Sequence, residues 1–145
     1  MSQTTKKAIE KYLNEYRRLT EKIRQIDEDI ESIESEIGAK SIGDGGGVQT
    51  SEVTDPTAKL AVQLADIRIH KDSIRAVAWQ RREEIVRVID GVQDTLQSRL
   101  LYDRYIKLMT WREVAEDIYV SEEYARGRLH AAALTSAERM YYAEN

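Results

Sequence analysis

One stretch of the sequence decides the fold: IEKYLNEYRRLTEKIRQIDEDIESIESEI, residues 9–37. Its apolar and tyrosine residues recur at steps of three and four, and the stretch holds neither Pro nor Gly. These seam residues are Ile9, Tyr12, Tyr16, Leu19, Ile23, Ile26, Ile30, Ile33 and Ile37. A period of about 3.5 residues is typical of a coiled coil, because it keeps one seam facing a partner helix. The stretch therefore predicts a long helix that packs lengthwise against another helix.

A second seam in the same chain offers that partner. Asp55 is a good N-cap and Pro56 suits a first helical position, so a second helix is predicted from there to Asp90-Gly91. Its seam comprises Leu60, Leu64, Ile67, Ile74, Ala78, Ile85 and Val88, with Lys71 and Arg81 interrupting it. An antiparallel pairing opposes the two seams over their whole length. We therefore predict an antiparallel coiled-coil hairpin over residues 1–90, with a parallel coiled coil between two chains as the alternative.

The segment between the two seams, residues 38–55, is rich in Gly, Ser and Thr. Gly38 is expected to end the first helix, and the segment reads as a flexible loop. Its GDGGG run lacks the Gly-Lys-Ser/Thr ending of a phosphate loop, and no predicted strand precedes it. The loop is therefore expected to connect the two helices and to bind no nucleotide.

Charge is uneven along the predicted hairpin. Residues 1–24 carry seven Lys or Arg against three Glu, whereas residues 25–37 carry six acids and no base. The ordinary interpretation is that these are solvated flanks of a coiled coil. The alternative is phosphate contact at the basic end and a protein partner at the acidic tip.

The composition of the chain argues against several classes of function. The 145 residues include no Cys, two His and one Pro, and the net charge is −4. Disulfides and thiolate metal sites are excluded, and no apolar run approaches the roughly 20 residues of a transmembrane helix. The chain lacks a Gly-x-Ser-x-Gly motif, a phosphate loop and a cluster of metal ligands. We therefore expect no enzyme, no cofactor, no metal and no membrane partner.

The last third of the chain predicts three shorter helices, over residues 92–106, 111–118 and 122–142. Thr110 and Glu113 form a capping-box pattern before the second of them, and Ser121 is placed to cap the third. A short helix, a tight turn and a capped second helix make up the helix-turn-helix plan. Residues 91–145 are therefore predicted to form a small helix-turn-helix DNA-binding domain.

These residues also carry a resemblance. The run TWREVAEDIYVSEEYARGRLHAAAL, residues 110–134, resembles the helix-turn-helix of sigma-factor region 4, especially the extracytoplasmic-function type. It departs from that pattern at Tyr119, where the family usually has Gly, and at Ala131, where a basic residue is common. The order of a tyrosine-rich helix, a Gly-rich break, a second long helix and this C-terminus is similar to phage transcriptional regulators of the RinA/ArpU type. The resemblance implies sequence-specific promoter binding and activation of late genes of a phage or prophage.

The helix-turn-helix plan assigns candidate DNA contacts, because Arg can bind guanine bidentately and Glu can accept from cytosine. The residues expected to face bases are Glu122, Glu123, Tyr124, Arg126 and Gly127. The residues expected to hold phosphates are Lys107, Arg112, Arg128 and His130.

Two other functions stay open at this point. One is a DNA-packaging component similar to a phage terminase small subunit, and the other is an adaptor that binds RNA polymerase without DNA. The expected partner is double-stranded DNA in the cytoplasm of a bacterial host. Host RNA polymerase, and a second copy of the chain bound through the coiled coil, are further candidate partners.

Overall fold

The computed structural model describes residues 3–43 and 56–144, with side chains over 6–39 and 56–144. Within these ranges there is no strand, which confirms the predicted all-α class. No helix in them is both long and apolar enough to cross a membrane. The helices are α1 (Gln3–Leu13), α2 (Glu15–Gly43), α3 (Pro56–Asp90), α4 (Thr95–Tyr105), α5 (Trp111–Ile118), α6 (Glu122–Tyr124) and α7 (His130–Glu144), and a π-helical turn (Ala125–Leu129) joins α6 to α7.

The chain divides into two compact units. The first contains Met1–Arg18 and Ala78–Asn145, and the second contains Leu19–Val77. The first unit therefore contains α1, the first turn of α2, the second part of α3 and the helices that follow α3. The boundary that the sequence predicts at residue 90 separates a coiled-coil hairpin from a DNA-binding domain, whereas these two units are separated by their internal packing. The predicted domain boundary therefore stays a prediction.

The second unit is a packed pair of helices formed by parts of α2 and α3. Its ion pairs join Glu34 to Arg68 at 2.7 Å and Asp27 to Lys71 at 2.5 Å. Residue numbers rise on one helix as they fall on the other, so the pair is antiparallel. Leu19, Ile26, Leu64 and Ile74 are buried in accordance with the predicted seams, because the 3.5-residue period places them on one face. The prediction of a long packed helix pair is confirmed.

Two predicted helix boundaries in this region are wrong. The helix α2 continues through Gly38 to Gly43, because glycine costs about 1 kcal/mol in a helix interior yet keeps its N–H and removes no hydrogen bond. A turn at Asn14 separates α1 from α2 where the sequence predicted an unbroken helix. The interruption is slight, since the Asn14 N–H still donates to the Glu10 carbonyl at 3.0 Å. The rest of the predicted loop and the Asp55 cap lie outside the described residues, and α3 begins at Pro56 as predicted.

The first unit has one continuous core. Fully buried Ile85 and Val88 of α3 lie in the same cluster as Leu13 of α1 and Leu100 of α4. α1 also packs against α7, where the rings of Tyr12 and Tyr141 lie 4.7 Å apart between centroids. The N-terminal helix is thus built into the same core as α4 to α7.

Candidate functional site

The helix α4 forms the base on which the candidate site rests. It begins at Thr95 rather than at the predicted residue 92, because the Asp94 carboxylate caps it by accepting from the Gln97 N–H at 2.9 Å. Leu100 and Tyr105 are buried, whereas Leu96, in the first turn of the helix, is 38% exposed. The helix therefore places Arg99, Asp103 and Arg104 toward the elements that follow it.

The helix α5 has the predicted bounds and the predicted cap. Thr110 Oγ1 accepts from the Glu113 N–H, and the Glu113 carboxylate accepts from the Thr110 N–H, both at 3.2 Å. The hydrogen bond from the Thr110 N–H lowers the pKa of Glu113, because it stabilises the ionised carboxylate. The apolar face of Val114, Ala115 and Ile118 is buried. Sequence and structure therefore agree on the first helix of the predicted pair.

The turn after α5 is left-handed. Tyr119 has φ 59° and ψ 45°, and its side chain is 93% exposed. Its N–H donates to the Ala115 carbonyl, which also accepts from the Val120 N–H at 3.1 Å. A left-handed residue at this position suits glycine better than any side chain with a Cβ atom. Tyr119 thus takes a conformation that glycine would favour, and its exposed side chain buries too little surface to offset the strain.

The next helical stretch, from α6 through the π-helical turn into α7, has one buried side and one exposed side. Ser121 caps it, since its Oγ accepts from the Tyr124 N–H at 3.1 Å. Ala125, Leu129 and Ala133 are buried beneath it. We call its exposed residues the outer face, and they are Glu122, Glu123, Tyr124, Arg126, Gly127 and Arg128. The outer face contains all five residues expected to face bases.

The charges on and beside the outer face are partly balanced. Arg126 Nη1 lies 3.7 Å from Glu122 Oε1, and Arg112 Nε lies 3.5 Å from Glu116 Oε1. All four side chains are well exposed, so each pair contributes at most about 1 kcal/mol and opens readily. Lys107 and Arg128 are also exposed. Four of the cations expected to contact DNA are therefore accessible to an incoming polyanion.

His130 is placed differently from the other predicted site residues. Its Nε2 is hydrogen-bonded to the Tyr105 hydroxyl at 2.6 Å, and its ring lies 4.6 Å from the Trp111 ring. Burial, together with the charge of Arg104, lowers the pKa of His130 from 6.5 to about 4. The imidazole is therefore neutral near pH 7. This environment favours a packing role over the phosphate contact that the sequence predicted.

A polar cavity of about 250 Å³ lies beside His130. Its wall contains two guanidinium groups, those of Arg104 and Arg126, and one carboxylate, that of Glu10. Arg104 is held by a 2.9 Å bond from its Nη1 to the Met109 carbonyl, and its guanidinium carbon lies 4.7 Å from the centre of the Trp111 ring. The remaining lining residues are Asn14, Tyr105, Trp111 and His130. Arg104 and the α1 residues give no signal in the sequence as members of this site, because only the folded chain brings them beside the outer face.

A buried carboxyl group also escaped the sequence analysis. Asp103 on α4 is fully buried, and its Oδ1 lies 3.5 Å from Arg99 Nε. Burial and the neighbouring Asp117 raise the pKa of Asp103 to about 6. Arg99 also binds both carboxylate oxygens of Asp117, at 2.8 and 3.2 Å. The cluster ties α4 to α5 and so fixes the base on which the outer face stands.

Comparisons of the chain with protein-family models, with curated proteins and with solved structures found no match. Among the described residues, no group of three or more His, Asp or Glu side chains is placed to hold a metal ion.

Proposed function

We propose that this protein is a sequence-specific DNA-binding transcriptional regulator, and that residues 110–134 act as a helix-turn-helix similar to sigma-factor region 4. The observation that carries the proposal is the outer face, a row of polar and charged side chains on a capped helix whose opposite side is buried. An α-helix fits the major groove of B-form DNA, where each base pair presents its own pattern of donors and acceptors. A rigidly seated helix with an exposed polar face is suited to reading that pattern.

Three charged residues of the outer face have a chemistry that suits a base. Arg126 can donate two bonds to guanine O6 and N7, and Glu122 or Glu123 can accept from the cytosine amino group. The ion pair between Arg126 and Glu122 is long and exposed, so opening it costs little. Gly127 leaves open space where a Cβ would stand, which would let the helix backbone approach a base edge closely.

The surrounding cations would set the position of the helix on the duplex. Lys107, Arg112 and Arg128 are exposed, so they can reach phosphates without losing buried contacts. Contacts to phosphate fix orientation and provide affinity that weakens with salt, whereas base contacts provide the discrimination. We leave His130 out of this set, because its imidazole is neutral and engaged with Tyr105.

The resemblance to RinA/ArpU-type regulators extends the proposal to a biological setting. On that basis the chain activates late genes of a phage or prophage in the cytoplasm of a bacterial host. The same resemblance makes host RNA polymerase the expected protein partner, and pairing through the long helices is a route to a homodimer.

A second function is favoured by one observation. The outer face is close to neutral, since Glu122 and Glu123 offset Arg126 and Arg128. A neutral face binds DNA weakly without sequence specificity, and an adaptor that binds only RNA polymerase would need no excess positive charge there. Such an adaptor would co-purify with RNA polymerase and would retain no DNA.

The test is recovery of DNA by the intact protein. Sheared DNA from the source genome and its resident phage is captured at near-physiological salt, and the recovered fragments are sequenced. A regulator enriches one or a few intergenic sites, Arg126→Ala loses them, and Arg75→Ala on the exposed side of α3 keeps them. Uniform or absent recovery by the wild-type protein contradicts the proposal.

A further inference from the structure

An exposed basic stripe runs along α1 and into the first turn of α2. Lys7 and Lys11 lie on α1 and Arg18 lies on α2. Their spacing of four and seven residues places them along one side of the helical stretch over about 16 Å. All three side chains are exposed, and none of them forms an ion pair within the described part of the chain. We call these three residues the α1 stripe. A row of positively charged lysine and arginine side chains is complementary to the negatively charged phosphates of a nucleic-acid backbone.

The α1 stripe lies next to the cavity beside the outer face. Glu10 and Asn14, which line the cavity, occupy the helical row neighbouring the stripe. The opposite wall of the cavity holds Arg104 and Arg126, the second of which belongs to the outer face. A series of cations therefore runs from Arg126 on the outer face, past Arg104 in the cavity, to the α1 stripe, all within the first compact unit.

The cavity has an excess of positive charge. It contains two guanidinium groups against the single carboxylate of Glu10. Burial and the nearby charge of Arg17 lower the pKa of Arg104, and the opposing effects of Tyr105 and Glu10 are smaller. An anionic oxygen in the cavity would stabilise the charged form of that guanidinium.

We propose that α1 and the first turn of α2 form a second DNA-binding element, in which the α1 stripe holds backbone phosphates that flank the site read by the outer face, and the cavity accepts the phosphate between them. This inference rests on the proposed function, since it assumes that the outer face binds a duplex. Phosphate contacts of this kind add affinity to every sequence equally. The N-terminal helix would therefore strengthen binding without changing the preferred site.

The first experiment removes the stripe. Lys7→Gln, Lys11→Gln and Arg18→Gln are combined, and a control combines Lys22→Gln, Lys59→Gln and Arg75→Gln, three exposed cations of the second unit. Binding is measured by fluorescence anisotropy on a 40-base-pair duplex with the recovered site and on one without it. Three lost phosphate contacts reduce the slope of log affinity against log salt by about 3, and weaken binding on the order of 100-fold at 0.1 M salt. The fold-loss is the same on both duplexes, and the control variant keeps the wild-type slope.

In the second experiment a single substitution is expected to strengthen DNA binding rather than weaken it. Glu10→Gln removes the one carboxylate of the cavity, so it should tighten binding several-fold on both duplexes. Glu31→Gln, at an exposed position in the second unit, is its matched control and should leave affinity unchanged. Wild-type affinity in the triple stripe variant, or equal losses in that variant and its control, overturns the inference while leaving the proposed function intact. A wild-type protein that binds neither duplex overturns both.

Discussion

Replacing His130 by Gln should change how the stability of the protein depends on pH. In the folded chain the imidazole is packed between Tyr105 and Trp111, and its pKa is lowered to about 4 by burial and by the charge of Arg104. Glutamine retains an acceptor for the Tyr105 hydroxyl and has no titratable group. The substitution therefore removes the proton binding of this side chain and keeps a polar partner in its place.

The sign of the effect follows from the order of the two pKa values. The unfolded chain binds the proton first, because its His130 has the ordinary pKa of 6.5 and the folded chain has a pKa of about 4. The contribution of His130 to stability is complete above the unfolded pKa and is lost as the pH falls from 6.5 toward 4. At about pH 5.5 the loss amounts to about 1.4 kcal/mol, and near pH 4 it approaches about 3 kcal/mol.

The measurement is the free energy of unfolding by urea, followed by circular dichroism, at several pH values between about 8 and 5.5. The difference in stability between wild type and His130→Gln should shrink by about 1.4 kcal/mol across that range. Subtracting the stability of the variant from that of the wild type removes the contribution of the other titrating groups. One of these is Asp103, whose raised pKa of about 6 makes the protein less stable as the pH rises. His70→Gln, at an exposed position of α3, is the matched control. A difference that stays constant to within about 0.3 kcal/mol would refute the buried, neutral imidazole and would favour the phosphate contact predicted from sequence.

Two further substitutions separate stability from recognition. Tyr119→Gly should stabilise the protein by about 0.5–1 kcal/mol, because it relieves the left-handed backbone at φ 59° and removes a side chain that is 93% exposed, whereas Tyr119→Val should destabilise it. Thermal unfolding measures both changes, and equal stability of the Gly and Val variants would contradict the strain at this turn. Gly127→Ala should leave stability unchanged or raise it by up to about 1 kcal/mol, since a Cβ meets nothing within 4 Å. The same variant should bind the recovered site more weakly, and full retention of affinity would show that no base edge approaches Gly127.

The parts of the fold that the sequence predicts are those governed by local rules. The alternating steps of three and four placed Leu19, Ile26 and Ile74 on buried faces. The bounds of α5 followed from Thr110 and Glu113, because a capping box depends on residues only three positions apart. Seam periodicity and capping therefore predicted the helices and much of their pairing.

The parts that escaped prediction depend on contacts distant in the sequence. Leu13 is fully buried although it lies off the predicted seam, because α1 packs both in the core with α3 and against α7. A coiled-coil pattern assumes one partner helix, so a second partner at the N-terminus leaves no sign in the spacing. For the same reason the cavity between Glu10 and Arg126 could not be foreseen.

The inward position of His130 has a local cause that periodicity does not reveal. The π-helical turn Ala125–Leu129 places more residues in a turn than an α-helix does, so the residues after it are rotated relative to a regular helix. At 3.6 residues per turn, His130 would lie on the same side of the helix as Arg126, four residues before it. Its partner Tyr105 lies 25 residues away, on a helix whose arrangement the sequence alone does not fix.

The central claim, that the outer face reads DNA bases, is tested most directly by removing a single acceptor from the DNA. Each guanine of the recovered site is replaced in turn by 7-deazaguanine, which lacks the N7 acceptor, and affinities are measured for wild type and Arg126→Ala. A bidentate contact from Arg126 predicts one guanine whose replacement weakens wild-type binding by about 10-fold, on the scale of 1–3 kcal/mol for such contacts. The same replacement should have no effect on Arg126→Ala. A site with no sensitive guanine, or one at which the variant is as sensitive as the wild type, would contradict the account.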